Sequence, residues 1–120
     1  MLYLGDGRLI NCYNNGKIAI WNLHSLLSNK LEPVALKQIH SSFTYKIRRV
    51  DPETVLTCSN DGCVKLIDIE QCEIIDSFQH EDGVWCAYPI NQNVFCSGGL
   101  MNKLVFWDSR QKKIINKCQL

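Results

Sequence analysis

Long apolar segments are missing from this chain of 120 residues, and neither sign of charge predominates. No uncharged apolar run approaches the length of about 18 residues that a membrane-spanning helix requires. The start, MLYLGDGRL, lacks a basic stretch followed by an apolar core, so no signal peptide is expected. With 13 Lys and Arg against 12 Asp and Glu, the formal net charge of +1 is not the strongly basic balance of a nucleic-acid-binding domain.

Paired metal-binding cysteines and catalytic motifs are also missing. The seven cysteines are odd in number and none forms a C-x-x-C pair, which argues against a disulfide framework and a zinc site. The chain contains no Gly-rich phosphate loop, no H-E-x-x-H and no G-x-S-x-G. We therefore expect no enzyme, no metal and no cofactor, and a reducing compartment, the cytoplasm or the nucleus.

What the sequence does contain is an internal repeat. The segments NCYNNGKIAIWN, TCSNDGCVKLID and SGGLMNKLVFWD occupy 11–22, 57–68 and 97–108, with offsets of 46 and then 40 residues. His40 and His80 are also 40 residues apart, so a second feature follows the same offset. A period of about 40–45 residues is typical of β-propeller blades, each of which needs neighbours to bury its apolar faces.

Each repeat consists of alternating apolar runs separated by turn residues. Asp61-Gly62 and Asn15-Gly16 predict two-residue hairpin turns of type I′, in which both central residues have positive φ. The third repeat has Met101-Asn102 at this position, which is poorer turn chemistry. Further strands are predicted over 43–50, 73–79, 84–90 and 113–120.

The ends of the three segments resemble the signature of the WD-repeat β-propeller family. They read Trp107-Asp108, with Trp21-Asn22 and Ile67-Asp68 as degenerate copies, and the resemblance covers essentially the whole chain. It implies an all-β fold, a partial propeller of four-stranded antiparallel blades. Blade 1 would span approximately 1–40 and lack most of its inner strand, blade 2 approximately 41–80, and blade 3 approximately 81–120.

The resemblance also implies a structural polar network that joins a His, a Ser or Thr, an Asp and the Trp in each blade. Ile67 stands where the second network needs its Trp, and Met101 where the third needs its Asp, so no network is complete. The matching residues are His40, Thr57 and Asp61 in the second blade, His80, Ser97 and Trp107 in the third, and Trp21 in the first.

The resemblance places partner-binding residues on the rim around the channel, where inner strands begin and tight turns end. Tyr and Trp residues at this rim are candidates because aromatic anchors dominate interface energies. The alternative is that Tyr45 and Trp85 pack between adjacent blades. The rim candidates are Phe43, Tyr45, Asn60, Trp85 and Leu100, with Gly83 beside them.

Two further hypotheses follow from charged residues. Trp107-Asp108-Ser109-Arg110 is a WD-x-R sequence similar to that of propellers that serve as substrate receptors of cullin-RING ubiquitin ligases, where the Arg contacts the ligase adaptor. The alternative is that Arg110 pairs with a nearby carboxylate. Tyr45, Lys46, Arg48 and Arg49 combine a stacking ring with cations, as in single-stranded RNA sites, although alternation predicts that Lys46 and Arg48 face away from Tyr45.

A closed propeller needs at least four blades, and this chain holds about three. We therefore expect a fragment or truncated gene model of a longer propeller, a ring completed by self-association, or a partner that supplies the missing blades. The predicted function is a non-catalytic protein–protein interaction scaffold within a multiprotein assembly. The alternatives are a substrate receptor of a cullin-RING ubiquitin ligase and an RNA-binding propeller.

Overall fold

The computed structural model describes residues 1–24, 32–100 and 102–119, and its regular structure in these ranges is almost entirely β. No described helix is long and apolar enough to cross a membrane. The strands are β1 (Leu2–Tyr3), β2 (Arg8–Cys12), β3 (Lys17–Asn22), β4 (Ala35–Gln38), β5 (Thr44–Arg49), β6 (Thr54–Ser59), β7 (Cys63–Asp68), β8 (Glu73–Gln79), β9 (Val84–Pro89), β10 (Val94–Gly99), β11 (Lys103–Asp108) and β12 (Lys113–Gln119).

The strands form three separate four-stranded sheets, in which each strand pairs antiparallel with its neighbour along the chain. The first sheet contains β1 to β4, the second β5 to β8 and the third β9 to β12. The predicted all-β fold of four-stranded antiparallel blades is confirmed. In the first sheet the inner strand β1 has only two residues, which pair with Ile10 and Leu9.

The register shows that the repeated segments occupy equivalent places in the three sheets. The position of the signature Trp always lies opposite an apolar residue of the preceding strand. The pairs are Trp21 with Leu9, Ile67 with Val55, and Trp107 with Phe95. The alignment made from sequence is therefore also the structural alignment.

The predicted type I′ turns are wrong. Gly62 has a φ of +88° and Gly16 a φ of +83°, but neither preceding residue has a positive φ. The N–H of Gly62 donates to the carbonyl of Ser59 at 3.2 Å, which makes a three-residue loop with its positive φ at the glycine. The reason is that the Asp61 carboxylate turns back and accepts the N–H of Cys63 at 2.9 Å. This local contact forms without a left-handed backbone at Asp61.

The sheets pack face to face through alternate side chains of their strands. One buried cluster joins the first and second sheets and includes Ile10, Ile18 and Ile67. A second joins the second and third sheets and includes Phe78 and Trp107. The second sheet is thus covered on both faces, which explains why β6 is buried along nearly its whole length.

In the part of the chain that the structure describes, no sheet covers the outer face of the third sheet. Leu56 and Leu66 pack against the third sheet, whereas their equivalents 40 residues later, Cys96 and Phe106, are only half-buried. The edge strand β12 is exposed along its whole length. An apolar blade face and an unpaired strand edge are therefore open to solvent in this chain.

Candidate protein-interaction surface

A buried polar network connects the loop before the second blade to the strands of that blade. The side chain of His40 is fully buried; its Nδ1 lies 3.0 Å from Asp61 Oδ2, and its Nε2 lies 2.8 Å from Thr57 Oγ1. A carboxylate only accepts hydrogen bonds, so the network assigns the proton to Nδ1 and makes Nε2 the acceptor of the Thr57 hydroxyl. The three residues matched from sequence are thus in direct contact.

The same contacts set the protonation of His40 and Asp61. Burial lowers the pKa of His40, and this effect exceeds the opposing attraction of the Asp61 carboxylate. For Asp61, burial raises the pKa, but hydrogen bonds from the N–H groups of Cys63 and Ser41 and from His40 bring it below its usual value. Near neutral pH the pair is therefore a neutral imidazole that donates to a carboxylate.

The third blade has a related but shorter network. Ser97 Oγ accepts the indole N–H of Trp107 at 2.9 Å, and its own hydroxyl bonds His80 Nε2. The Trp107 ring lies 5.6 Å from that of Phe78 in an edge-to-face arrangement, which ties the second blade to the third. Met101, which takes the Asp position in this repeat, lies outside the described residues.

Burial also lowers the pKa of His80, against the opposing charge of Asp82. Asp82 Oδ2 is buried and has no hydrogen-bond partner among the described residues.

In the first blade, Asn15 Oδ1 accepts the N–H of Lys17 at 3.1 Å, so Asn15 orders the turn as Asp61 does in the second. Trp21 is half-buried in β3, at the register position of Trp107.

The network of the second blade positions the rim. Ser59, which is completely buried, donates from Oγ to the carbonyl of Phe43 at 2.7 Å and accepts the N–H of Asp61 at 3.1 Å. The N–H of Asn60 donates to the same Phe43 carbonyl at 2.9 Å. The backbone beneath the rim is therefore held by buried hydrogen bonds, and the rim side chains are presented on a rigid base.

Three of the predicted rim residues lie together in the second blade. The rings of Phe43 and Tyr45 are stacked with centroids 6.4 Å apart, and both side chains are exposed, by 46% and 40%. The Tyr45 hydroxyl donates to Asn60 Oδ1 at 3.3 Å, and Asn60 Nδ2 donates to Ser42 Oγ at 3.3 Å. This group forms a continuous aromatic and amide surface.

The third blade extends the same surface. The N–H of Leu100 donates to the carbonyl of Gly83 at 3.3 Å. A Cβ at Gly83 would lie 3.0 Å from Asn60 Oδ1 and 3.4 Å from Leu100 Cδ1, so this glycine lets the two rim residues approach. Trp85 and Leu100 are exposed by 52% and 50%.

Two β-bulges determine how the rim aromatics point. In the second blade the register shifts between Thr44 and Lys46, and in the third it shifts between Gly98 and Gly99, opposite Val84 and Cys86. Strict alternation predicts that Tyr45 shares a face with Ile47. Because of the bulge, Tyr45 is exposed whereas Ile47 is buried. Each bulge leaves its aromatic residue exposed, by 40% for Tyr45 and 52% for Trp85, and their role in partner binding stays a prediction.

Arg110 lies at the other end of the strands from the rim. β11 runs from Lys103 to Asp108, ahead of the turn at 109–112, and its six residues span about 20 Å. The Asp108 carboxylate accepts the N–H groups of Arg110 and Gln111 at 2.9 and 3.2 Å, which orders the turn. The Arg110 side chain is 68% exposed, and its Nε comes no closer than 3.9 Å to Asp108. Arg110 and the rim are two separate candidate surfaces.

Arg48 and Arg49, which belong to the basic cluster of the second blade, make different contacts. Arg49 donates to the backbone carbonyls of Leu4, Asp51 and Pro52, so its guanidinium keeps its charge but is held in place, and it joins the first blade to the second. Arg48 instead lies over the ring of Tyr88 in the third blade, 5.6 Å from its centre. This contact was not predicted: the 40-residue offset places Arg48 and Tyr88 at equivalent positions of neighbouring blades, but it does not specify which side chains meet across the boundary.

The repeat and the blade topology show that the chain folds as blades of a β-propeller, and its likenesses are to WD-repeat proteins. In the solved WD40 β-propeller domain of Doa1, the matching region superimposes with a TM-score of 0.77 at 18% identity, and covers 96% of this chain and 37% of that one. That likeness shows the fold.

Among curated proteins, the human DDB1- and CUL4-associated factor 5 is 28% identical over 110 residues, which cover 89% of this chain. The WD repeat-containing protein 55 homolog of Drosophila melanogaster is 33% identical over 67 residues, which cover 54% of it. The chain spans only 12% and 14% of the length of these two relatives. No protein-family model matches the chain.

Proposed function

We propose that this chain is part of a non-catalytic protein-interaction scaffold that binds partners through the rim of Phe43, Tyr45, Asn60, Trp85 and Leu100. The observation that carries the proposal is that four large apolar or aromatic side chains, each 40–52% exposed, lie on one rigid rim. Exposed aromatic residues on a preorganised base are typical anchors of protein interfaces. The seven cysteines are all free thiols, which supports placing the scaffold in the cytoplasm or nucleus.

The test is site-specific photo-crosslinking from the rim, followed by affinity measurement with the captured partner. Trp85→Ala and Tyr45→Ala should each weaken binding by about 30-fold, since truncating an aromatic anchor costs about 2 kcal/mol. The matched control is Tyr3→Ala, which removes a 57% exposed ring from the far end of an inner strand. Equal losses from the rim and control variants, or no loss from either rim variant, would contradict the proposal.

Arg110 supports a second candidate function, that of a substrate receptor of a cullin-RING ubiquitin ligase. The name of the human relative records association with DDB1 and CUL4. The supporting geometry is an ordered turn that presents a side chain 68% exposed, whose ion pair with Asp108 is long at 3.9 Å. We expect Arg110→Ala to reduce capture of purified DDB1 at least about tenfold, since a charge-assisted hydrogen bond is worth roughly 1.5–3 kcal/mol. Lys113→Ala, which removes a nearby exposed cation, should leave capture unchanged. No capture by the unmodified chain would refute this candidate.

The open face of the third sheet supports completion of the ring by further blades. Phe106 and Cys96 occupy the positions that Leu66 and Leu56 use to pack against a neighbouring blade. These blades would come from the same polypeptide, from a second copy or from a partner. Light scattering tests whether a second copy supplies the blades, because completion of the ring by self-association requires a discrete symmetric oligomer that unfolds cooperatively.

A further inference from the structure

The inner strands β5 and β9 carry a positively charged and aromatic strip below the rim. Lys46 and Arg48 are two residues apart on β5, and they lie opposite Cys58 and Leu56 in the register, so both leave the same face of the sheet. Tyr88 on β9 lies under the Arg48 guanidinium. All three side chains of the strip are exposed to solvent.

The two cations of this strip have no acidic partner in the described ranges. Neither Lys46 nor Arg48 takes part in an ion pair there, whereas most other described Lys and Arg side chains reach a carboxylate or a backbone carbonyl. The three inner strands read LY, TYKIRR and VWCAYP and contain no Asp or Glu. Asp51, the first acid after β5, has Oδ1 occupied by the N–H groups of Glu53 and Thr54. An anionic ligand would meet positive charge that the protein has not neutralised.

Next to Arg48, the ends of β5 and β9 enclose a cleft of about 260 Å³. Ile90 and Tyr88 border it and are 52% and 58% exposed. The cleft therefore offers an apolar contact directly beside the guanidinium. Arg48 and Tyr88 each lie three residues after the rim residue of their strand, Tyr45 and Trp85, so the cleft begins about 10 Å from the rim.

We propose that Lys46, Arg48, Tyr88 and Ile90, here called the channel strip, bind an extended acidic peptide. Carboxylates on alternate residues of an extended peptide are roughly 7 Å apart, which matches the spacing of Lys46 and Arg48 on their strand. Arg48 pairs with one carboxylate through the edge of its guanidinium while the face stays on Tyr88. An apolar side chain that follows the second carboxylate lies against Tyr88 and Ile90.

The observations favour a peptide over a nucleic acid. A nucleic acid is bound by a longer series of phosphate contacts than two cations provide. Base stacking needs open ring faces, and one face of Tyr88 is covered by Arg48. The inference rests on the proposed role in protein binding, but it names the partner chemistry of a second surface, which starts beside the rim at Lys46 and extends along β5 and β9 away from it.

The test is fluorescence anisotropy of the full chain with a labelled peptide of about ten residues that contains Glu-Ser-Glu-Ser-Leu. Arg48→Ala and Lys46→Ala should each weaken binding about tenfold, which corresponds to one lost charge-assisted contact. Replacing both Glu of the peptide with Gln should have the same effect. The matched control, Lys113→Ala, removes the same charge from the outer strand β12 and should leave binding unchanged. Arg48→Lys, which keeps the charge, should retain most of the affinity, and urea unfolding curves show that each variant is folded.

Several results would overturn the inference. They are absence of peptide binding, an equal loss from Lys113→Ala, and preferential, steeply salt-dependent binding of a single-stranded RNA that Arg48→Ala abolishes. If the chain does not bind the peptide but still captures a partner through its rim, this inference is refuted and the proposed rim function is not. Peptide binding in a chain whose rim captures nothing supports the channel strip and contradicts the proposed rim function.

Discussion

Replacing Asp61 with alanine should destabilise the chain by about 3 kcal/mol. The Asp61 carboxylate, 8% exposed, accepts hydrogen bonds from Cys63 N, Ser41 N and His40 Nδ1 at 2.9–3.0 Å. Its loss leaves the His40 N–H buried without an acceptor, which costs about 2 kcal/mol. The two backbone N–H groups lie closer to solvent and can bind water, so we assign them about 1 kcal/mol together.

The assay is urea unfolding followed by tryptophan fluorescence. With a slope of about 2 kcal/mol/M for a chain of this size, a loss of about 3 kcal/mol lowers the urea midpoint by about 1.5 M. The matched control is Asp68→Ala in the same sheet, because within the described ranges Asp68 accepts a single hydrogen bond, from the N–H of Gln71 at 2.9 Å. This control should lose about 1 kcal/mol. If Asp61→Ala costs no more than Asp68→Ala, the network does not hold the second blade and the reasoning is wrong.

Three other predictions concern stability. Burial lowers the pKa values of His40 and His80 in the folded chain, so the unfolded chain binds more protons below the ordinary pKa of 6.5. The free energy of unfolding should therefore be highest above that pH and fall as the pH drops below it. Urea midpoints that do not change from pH 7.5 to 5.5 would contradict this. Gly16→Ala should destabilise the chain far more than Gly5→Ala, although both glycines have a φ of +83°. A Cβ at Gly16 would lie 1.9 Å from the His40 carbonyl oxygen, whereas a Cβ at Gly5 would meet no neighbouring atom within 4 Å. Equal urea midpoints for the two variants would refute the clash. Trp107→Phe should cost about 1–3 kcal/mol because it removes the donor to a buried hydroxyl, and an unchanged melting curve would show that this bond contributes nothing.

Much of the fold could be predicted from the sequence because its signals are local. Alternating apolar residues and turn residues indicate β6 and β7, and the 40-residue offset between Asp68 and Asp108 gives the repeat. The offset of the two histidines also identified the residues of the polar networks. The roles of the rim residues and of Arg110 in partner binding stay predictions, because binding depends on a second molecule whose surface this sequence does not specify.

The turn type was less predictable. The pair Asp61-Gly62 is compatible with more than one loop, and the choice depends on where the Asp61 side chain finds its partners. One of these is His40, which is 21 residues earlier and lies in the connection between two blades. A contact over that distance is decided by how the sheets pack.

By itself the sequence determined the blade period, the strands and the alternation that gives each sheet two packing faces, because these depend on residues a few positions apart. The tertiary structure decided which side chains became free for a partner. Bulges turned Tyr45 outward, and blade packing bound Arg49 to backbone carbonyls while placing Arg48 over Tyr88. The physical reason is that exposure and charge compensation depend on groups from neighbouring blades, which the spacing of residues along one blade does not specify.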